Sequence, residues 1–196
     1  MAFFTNQAQL RYGNEITNSN ITVGEIQEVL TVTKTAVKET YRQGGTVTYI
    51  ISIVNAGTAE YTGLTLSDDL GTYAFGTTTR TPLDYSEGTI RYYQNGVLQT
   101  APTVEAGPPL TITGVNVPAG GNATIVYETR LNAYAPLQLE AEITNVVTVS
   151  GTCVSGITAS ETVSAVAEPV LSITKSVSPV PVTECGRLTY TFVIQN

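Results

Sequence analysis

The feature that most constrains this chain is a repetition within it. Residues 29–35 read Val-Leu-Thr-Val-Thr-Lys-Thr, and residues 170–176 read Val-Leu-Ser-Ile-Thr-Lys-Ser. Downstream of the first copy come Thr48-Tyr49 and a run ending in Asn55. The same spacing after the second copy brings Thr189-Tyr190 and a run ending in Asn196. A third match runs the other way, from Thr5-Asn6-Gln7-Ala8 to Thr144-Asn145-Val146-Val147. Such an arrangement describes one whole unit with the end of a similar unit before it and the beginning of another after it. Expected boundaries are 1–28 for the last strand or strands of a preceding partial repeat or an N-terminal arm, 29–166 for the complete unit, and 167–196 for the first two strands of a following, truncated repeat. A unit of this length exceeds the short solenoid repeats, so each should own its core.

Within the whole unit, apolar residues alternate with polar ones, the two-residue period of a half-buried strand. Leu30, Val32 and Lys34 share one face; Val47, Tyr49, Ile51 and Ile53 share another; Leu64, Leu66, Asp68 and Leu70 line a third. Residues 110–115, 123–131 and 143–149 continue the pattern. Asn95-Gly96 between Arg91-Tyr92-Tyr93 and Val97-Leu98-Gln99 marks a hairpin, and Asn55-Ala56-Gly57 and Pro118-Ala119-Gly120-Gly121 mark turns. No segment carries a useful helical period. About seven or more short strands with frequent turns predict an all-β fold, an immunoglobulin-like Greek-key β-sandwich with one complete repeat flanked by partial ones.

Composition narrows the function. Only 13% of residues are charged and the net charge is −7, so no basic cluster is available for nucleic acid or an anionic membrane surface. No apolar run approaches the ~20 residues needed to span a bilayer. The N-terminal Met-Ala-Phe-Phe-Thr-Asn lacks the basic start and apolar stretch of a secretory signal. Histidine is absent, which removes Ser-His-Asp and Cys-His catalysis. Two cysteines, Cys153 and Cys185, are too few for a zinc site; they form one disulfide or stay reduced. Asp68-Asp69 has no ligand series around it for Ca²⁺ and reads as a strand-end turn. The expectation is therefore no enzyme, no cofactor and no metal.

The ordered motifs Leu30-Thr31-Val32-Thr33-Lys34-Thr35, Gly45-Thr46-Val47-Thr48-Tyr49, Val54-Asn55-Ala56-Gly57, Leu64-Thr65-Leu66-Ser67-Asp68-Asp69-Leu70, Val117-Pro118-Ala119-Gly120 and Ile143-Thr144-Asn145 resemble a known family. It is the conserved tandem repeat domain, long catalogued as a domain of unknown function, of bacterial cell-surface and cell-wall proteins. The resemblance covers the central unit and implies a β-sandwich with a structural or adhesive role at an extracellular, cell or spore surface.

One constellation carries chemistry. Lys34, Asp68 and Asn145 each have the parity of apolar neighbours, so all three are predicted on the buried face. Isolated buried charges are expensive, which draws such groups together or to the sandwich rim. A Lys, an acid and an Asn in an apolar core are what a spontaneous Lys–Asn isopeptide bond requires: burial favours the neutral amine, and a protonated carboxyl polarises the amide carbonyl. The trio resembles the covalent staples of surface pilins and adhesins. The alternative is a Lys34–Asp68 ion pair at a strand end, with Lys34 reaching outward and Asn145 bonding backbone. Lys175, beside Leu171 and Ile173, and Asn6, beside Phe4, Ala8 and Leu10, have the same parity and are candidate intermolecular counterparts.

These features predict a stalk, spacer or fibre building block whose partners are neighbouring repeats or identical subunits. Two other readings remain open. One is an adhesin module binding a host or cell-surface ligand through loops 76–88 and 100–109. The other is a filament subunit assembled by strand complementation, in which C-terminal strands of one copy complete a sandwich with N-terminal strands of the next.

Overall fold

The computed structural model describes residues 2–138, 140–166 and 172–195; Val170, Leu171 and Asn196, which entered the repeat pattern, lie outside the described residues. Eight strands build the central unit: β1 (Leu30–Ala36), β2 (Thr46–Asn55), β3 (Tyr61–Asp68), β4 (Arg91–Gln94), β5 (Leu110–Val117), β6 (Asn122–Leu131), β7 (Glu142–Gly151) and β8 (Val154–Ala165). They fall into two six-stranded sheets. The first runs Val97–Leu98, β4, β6, β2, β1, with Leu83–Tyr85 also on β6; the second runs Thr103–Ala106, β5, β3, β7, β8, Thr40–Tyr41. Pairing is antiparallel except where Thr40–Tyr41 joins the end of β8. The fold is the all-β sandwich expected from the alternation.

Alternation sets the core. In β2, Val47, Tyr49, Ile51 and Ile53 are buried, facing Leu64, Leu66, Ile112, Val115, Val147 and Val149 of the other sheet within one apolar cluster. Each such side chain contributes about 1.5–3 kcal/mol through removal from water, and the β-branched residues suit a pleated surface. Asn55 ends β2 buried, its amide donating to the carbonyls of Ala59 and Pro118 while its Oδ1 accepts the Gly57 amide. That side chain replaces the ladder where the strand stops, and it explains why an Asn stands in an apolar run. Asn95 and Gly96 both have positive φ, at 47° and 79°, the geometry of a two-residue hairpin turn whose twist matches its strands.

The segments expected as long loops differ from that expectation. Thr78–Arg80 pairs with Tyr73–Phe75, Leu83–Tyr85 adds to β6, and Thr103–Ala106 pairs along β5. These pairings satisfy backbone groups that would otherwise stay open. Tyr92 is buried, its hydroxyl donating to the Asn116 carbonyl.

The flanking segments are hairpins with informative registers. Ile173↔Ile194 and Lys175↔Phe192 repeat Val32↔Ile53 and Lys34↔Ile51 of β1–β2. At the other end, Phe4↔Gly24 and Asn6↔Thr22, then Tyr12↔Glu15, repeat Ile143↔Val163, Asn145↔Glu161 and Gly151↔Val154 of β7–β8. Even the packing keeps its form. The Phe4 ring lies over the bare Gly24 backbone, where a Cβ would meet ring carbons; β7–β8 has Ile143 and Val163 there.

Candidate functional site

Sheet one contributes Lys34 from β1, Tyr49 from β2 and Tyr127 from β6; sheet two contributes Asp68 from the end of β3 and Asn145 from β7. Lys34 is only 4% exposed, and Asp68 and Asn145 are fully enclosed. Thr33 and Thr35 on either side of Lys34 are exposed, so strand parity drives the lysine inward.

Asp68 is the hub. Its Oδ2 accepts from Lys34 Nζ at 2.5 Å and from the Tyr127 hydroxyl at 2.5 Å, while Oδ1 accepts the Leu70 amide. A tight turn follows, with Leu70 and Gly71 at positive φ. Asp69 pins this turn to β7: its Oδ1 accepts the amides of Gly71 and of Val146, the residue after Asn145. The acid and the amide strand are thereby fixed together. The two carboxylates serve different partners, and no group of three His, Cys, Asp or Glu with metal-holding geometry occurs among the described residues.

Asn145 Nδ2 donates to the Tyr127 hydroxyl at 3.4 Å. Its Oδ1 and the Tyr49 hydroxyl have no partner, the two such buried side-chain atoms among the described residues. Tyr49 and Tyr127 are cross-strand partners, stacked with centroids 5.7 Å apart, and Lys34 Nζ lies 5.0 Å from the Tyr49 ring centroid. Burial pushes the Lys34 amine below its ordinary range, with Asp68 opposing. Burial also pushes both phenols up, the Asp68 charge adding to the push and the Asn145 side chain opposing it at each. The cluster therefore holds an amine biased toward neutrality, an acid in direct contact with it, and an amide whose carbonyl oxygen is undonated, all away from water.

Sequence reasoning brings forward Lys34, Asp68 and Asn145 but passes over Tyr49 and Tyr127. The signal is present: both have inward parity, and a buried tyrosine hydroxyl demands a polar partner. Lys175 and Asn6 sit exposed on their separate hairpins, Lys175 Nζ 4.5 Å from the Tyr190 ring centroid. Cys153 and Cys185 are free, exposed thiols.

No protein-family model and no curated protein matches the chain. Solved structures do. The full-length major pilin RrgB from Streptococcus pneumoniae is 14% identical with a TM-score of 0.50, over 65% of this chain and 24% of that one. The major pilin subunit BcpA of Bacillus cereus, as a single-residue variant, is 13% identical with a TM-score of 0.50, over 88% of this chain and 50% of that one. The collagen adhesin CNA from S. aureus is 15% identical at 0.46, over 95% and 58%. The chain thus spans a quarter to half the length of the two pilin structures, and the likeness to them is one of fold.

Proposed function

We propose that this chain is a non-enzymatic structural module of a bacterial surface or appendage fibre, stapled internally by an amide bond between Lys34 and Asn145. The observation that carries the reading is the enclosure of Lys34, Asp68 and Asn145 in one cluster between opposite sheets. Lys34 stands on the first strand of the unit and Asn145 on the last but one. A bond between them would bypass residues 35–144 when the chain is pulled from its ends, so the intervening strands would carry no tension. Closing a loop of that order would also remove about 5 kcal/mol of unfolded-chain entropy, by analogy with a disulfide. A spacer that must keep its length under load benefits from both effects.

Intact mass of the purified chain beside Lys34→Ala and Asn145→Ala variants tests this. The expected wild-type mass is one ammonia below that calculated, with the deficit gone in both variants. A wild-type chain at its calculated mass overturns the staple. A deficit of one water would instead join Lys34 to Asp68, its nearest oxygen.

A second reading concerns the flanks. Their registers support their being terminal hairpins of neighbouring units, supplied by the same chain or by identical subunits. Phe4, Ile26, Ile173, Phe192 and Ile194 are exposed at positions whose counterparts Ile143, Ala165, Val32, Ile51 and Ile53 pack within the central unit. Asn6 and Lys175 would then be the electrophile and nucleophile of those units. Neither described hairpin contains counterparts of β3 and β6, the strands of Asp68 and Tyr127, so the acid for a Lys175–Asn6 bond would have to come from other strands. Peptide mapping of isolated fibres distinguishes the cases: a Lys175–Asn6 cross-link supports copy-to-copy assembly, and its absence counts against it.

A further inference from the structure

We infer that Tyr127 relays the proton that releases ammonia from Asn145, an inference that rests on the Lys34–Asn145 staple proposed above. Two buried tyrosines stand side by side in this cluster, and both feel the Asn145 side chain. Tyr49 Oη makes no well-formed hydrogen bond and does not contact Asp68 through one. Tyr127 Oη donates to Asp68 Oδ2 and accepts from Asn145 Nδ2, bridging the acid that faces the nucleophile and the nitrogen that must leave. An amide nitrogen is a poor leaving group until protonated, and in a dry cavity that proton must arrive along fixed groups. The bonds run in order from Lys34 Nζ to Asp68 Oδ2, to Tyr127 Oη, to Asn145 Nδ2.

The step balances along that chain. One proton of the Lys34 ammonium passes to Asp68, giving a neutral amine and a carboxylic acid. The Nζ lone pair forms the bond to Asn145 Cγ, and the carbonyl electrons move onto Oδ1. Asp68 then donates its proton to Tyr127 Oη as the phenol's own proton goes to Nδ2, so Tyr127 ends as it began. The emptied carboxylate takes a second proton from Nζ. The carbonyl re-forms, the Cγ–Nδ2 bond breaks, and Nδ2 departs as ammonia. Nothing is oxidised or reduced. The upward push on the Tyr127 phenol keeps it protonated, as a relay must be at its start.

A buried tyrosine outside the cluster, Tyr92, whose hydroxyl donates to the Asn116 carbonyl, provides the control. Chain synthesised in a cell-free system is followed by intact mass over time for wild type, Tyr92→Phe and Tyr127→Phe, with circular dichroism confirming the fold. Each variant keeps its ring and loses one buried hydroxyl. Tyr92→Phe is expected to shed ammonia at the wild-type rate, and Tyr127→Phe about 100-fold more slowly, the usual worth of a placed proton donor. Site-specific 3-fluorotyrosine at position 127, a more acidic phenol of nearly the same shape, should restore conversion and bring the alkaline limb of its pH profile to lower pH. This arm decides the question should Tyr127→Phe fail to fold. Conversion of folded Tyr127→Phe at the wild-type rate, or a fluorinated protein with an unshifted profile, overturns the relay while leaving the staple standing. A wild-type chain that never loses ammonia overturns the staple itself.

Discussion

The hairpin β1–β2 and the hairpin formed by 172–178 with 189–195 share a register, a lysine at the same position and a tyrosine beneath that lysine. Lys34 lies 5.0 Å from the Tyr49 ring and Lys175 lies 4.5 Å from the Tyr190 ring. Their environments are opposite. Lys34 is sealed against Asp68 by the second sheet, whereas Lys175 is exposed. The pair separates two kinds of information: a hairpin sets which side chains lie together on one face, and a second sheet decides whether that face becomes a reactive interior.

Removing the acid breaks the comparison most severely. Asp68→Ala leaves the Lys34 ammonium and the Tyr127 hydroxyl buried without their acceptor, and should cost the central unit at least about 3 kcal/mol in denaturant unfolding. The variant should also remain at its calculated mass.

Alkaline pH acts next. In the folded unit Tyr49 and Tyr127 hold their phenolic protons above the ordinary range, while the unfolded chain loses them near pH 10. The unfolded state therefore binds fewer protons above that point, and stability falls as pH rises by about 1.4 kcal/mol per unit for each phenol. In a chain lacking the staple Lys34 runs the other way: its amine is pushed down, so stability rises with pH until its unfolded value near 10.5 is passed. Tyr41, whose phenol burial pushes up to about 12, adds to the same slope as the other two. Denaturant titrations of Asn145→Ala beyond pH 10.5 should therefore show the tyrosine slope alone, with Tyr49→Phe removing about a third of it.

Lys175→Ala is the smallest expected change. An exposed ammonium over an aromatic face is worth about 0.5–1 kcal/mol, and only to its own hairpin, so the melting transition of the central unit should not move. A shift of that transition would mean that the C-terminal hairpin packs on the unit.

Strand alternation makes much of this legible in the order of residues alone. Two-residue parity points Lys34, Asp68 and Asn145 toward the side of Val32, Leu66 and Val147, because successive side chains of a strand must face opposite ways. Asn95-Gly96 marks its turn for an equally local reason, the need for positive φ. The strands within 76–88 and 100–109 are not legible: they are short, Leu83–Tyr85 and Thr103–Ala106 pair because β6 and β5 offer unfilled edges, and Thr78–Arg80 pairs with its neighbour Tyr73–Phe75. The likeness of residues 2–26 to β7–β8 is visible only around Asn6, since backbone ladders fix register without needing the same side chains, and Phe4 over Gly24 fills the space of Ile143 and Val163.

Periodicity and turn chemistry, acting within a few residues, are enough for the all-β class, the repeated hairpin and the inward parity of three polar residues. That Asp68 takes Lys34 and Tyr127 on one oxygen, and that Tyr127 reaches Asn145, is settled by packing in three dimensions. Those contacts cross between sheets or between strands far apart in the chain, and their geometry is set by how two sheets pack, which no local pattern encodes.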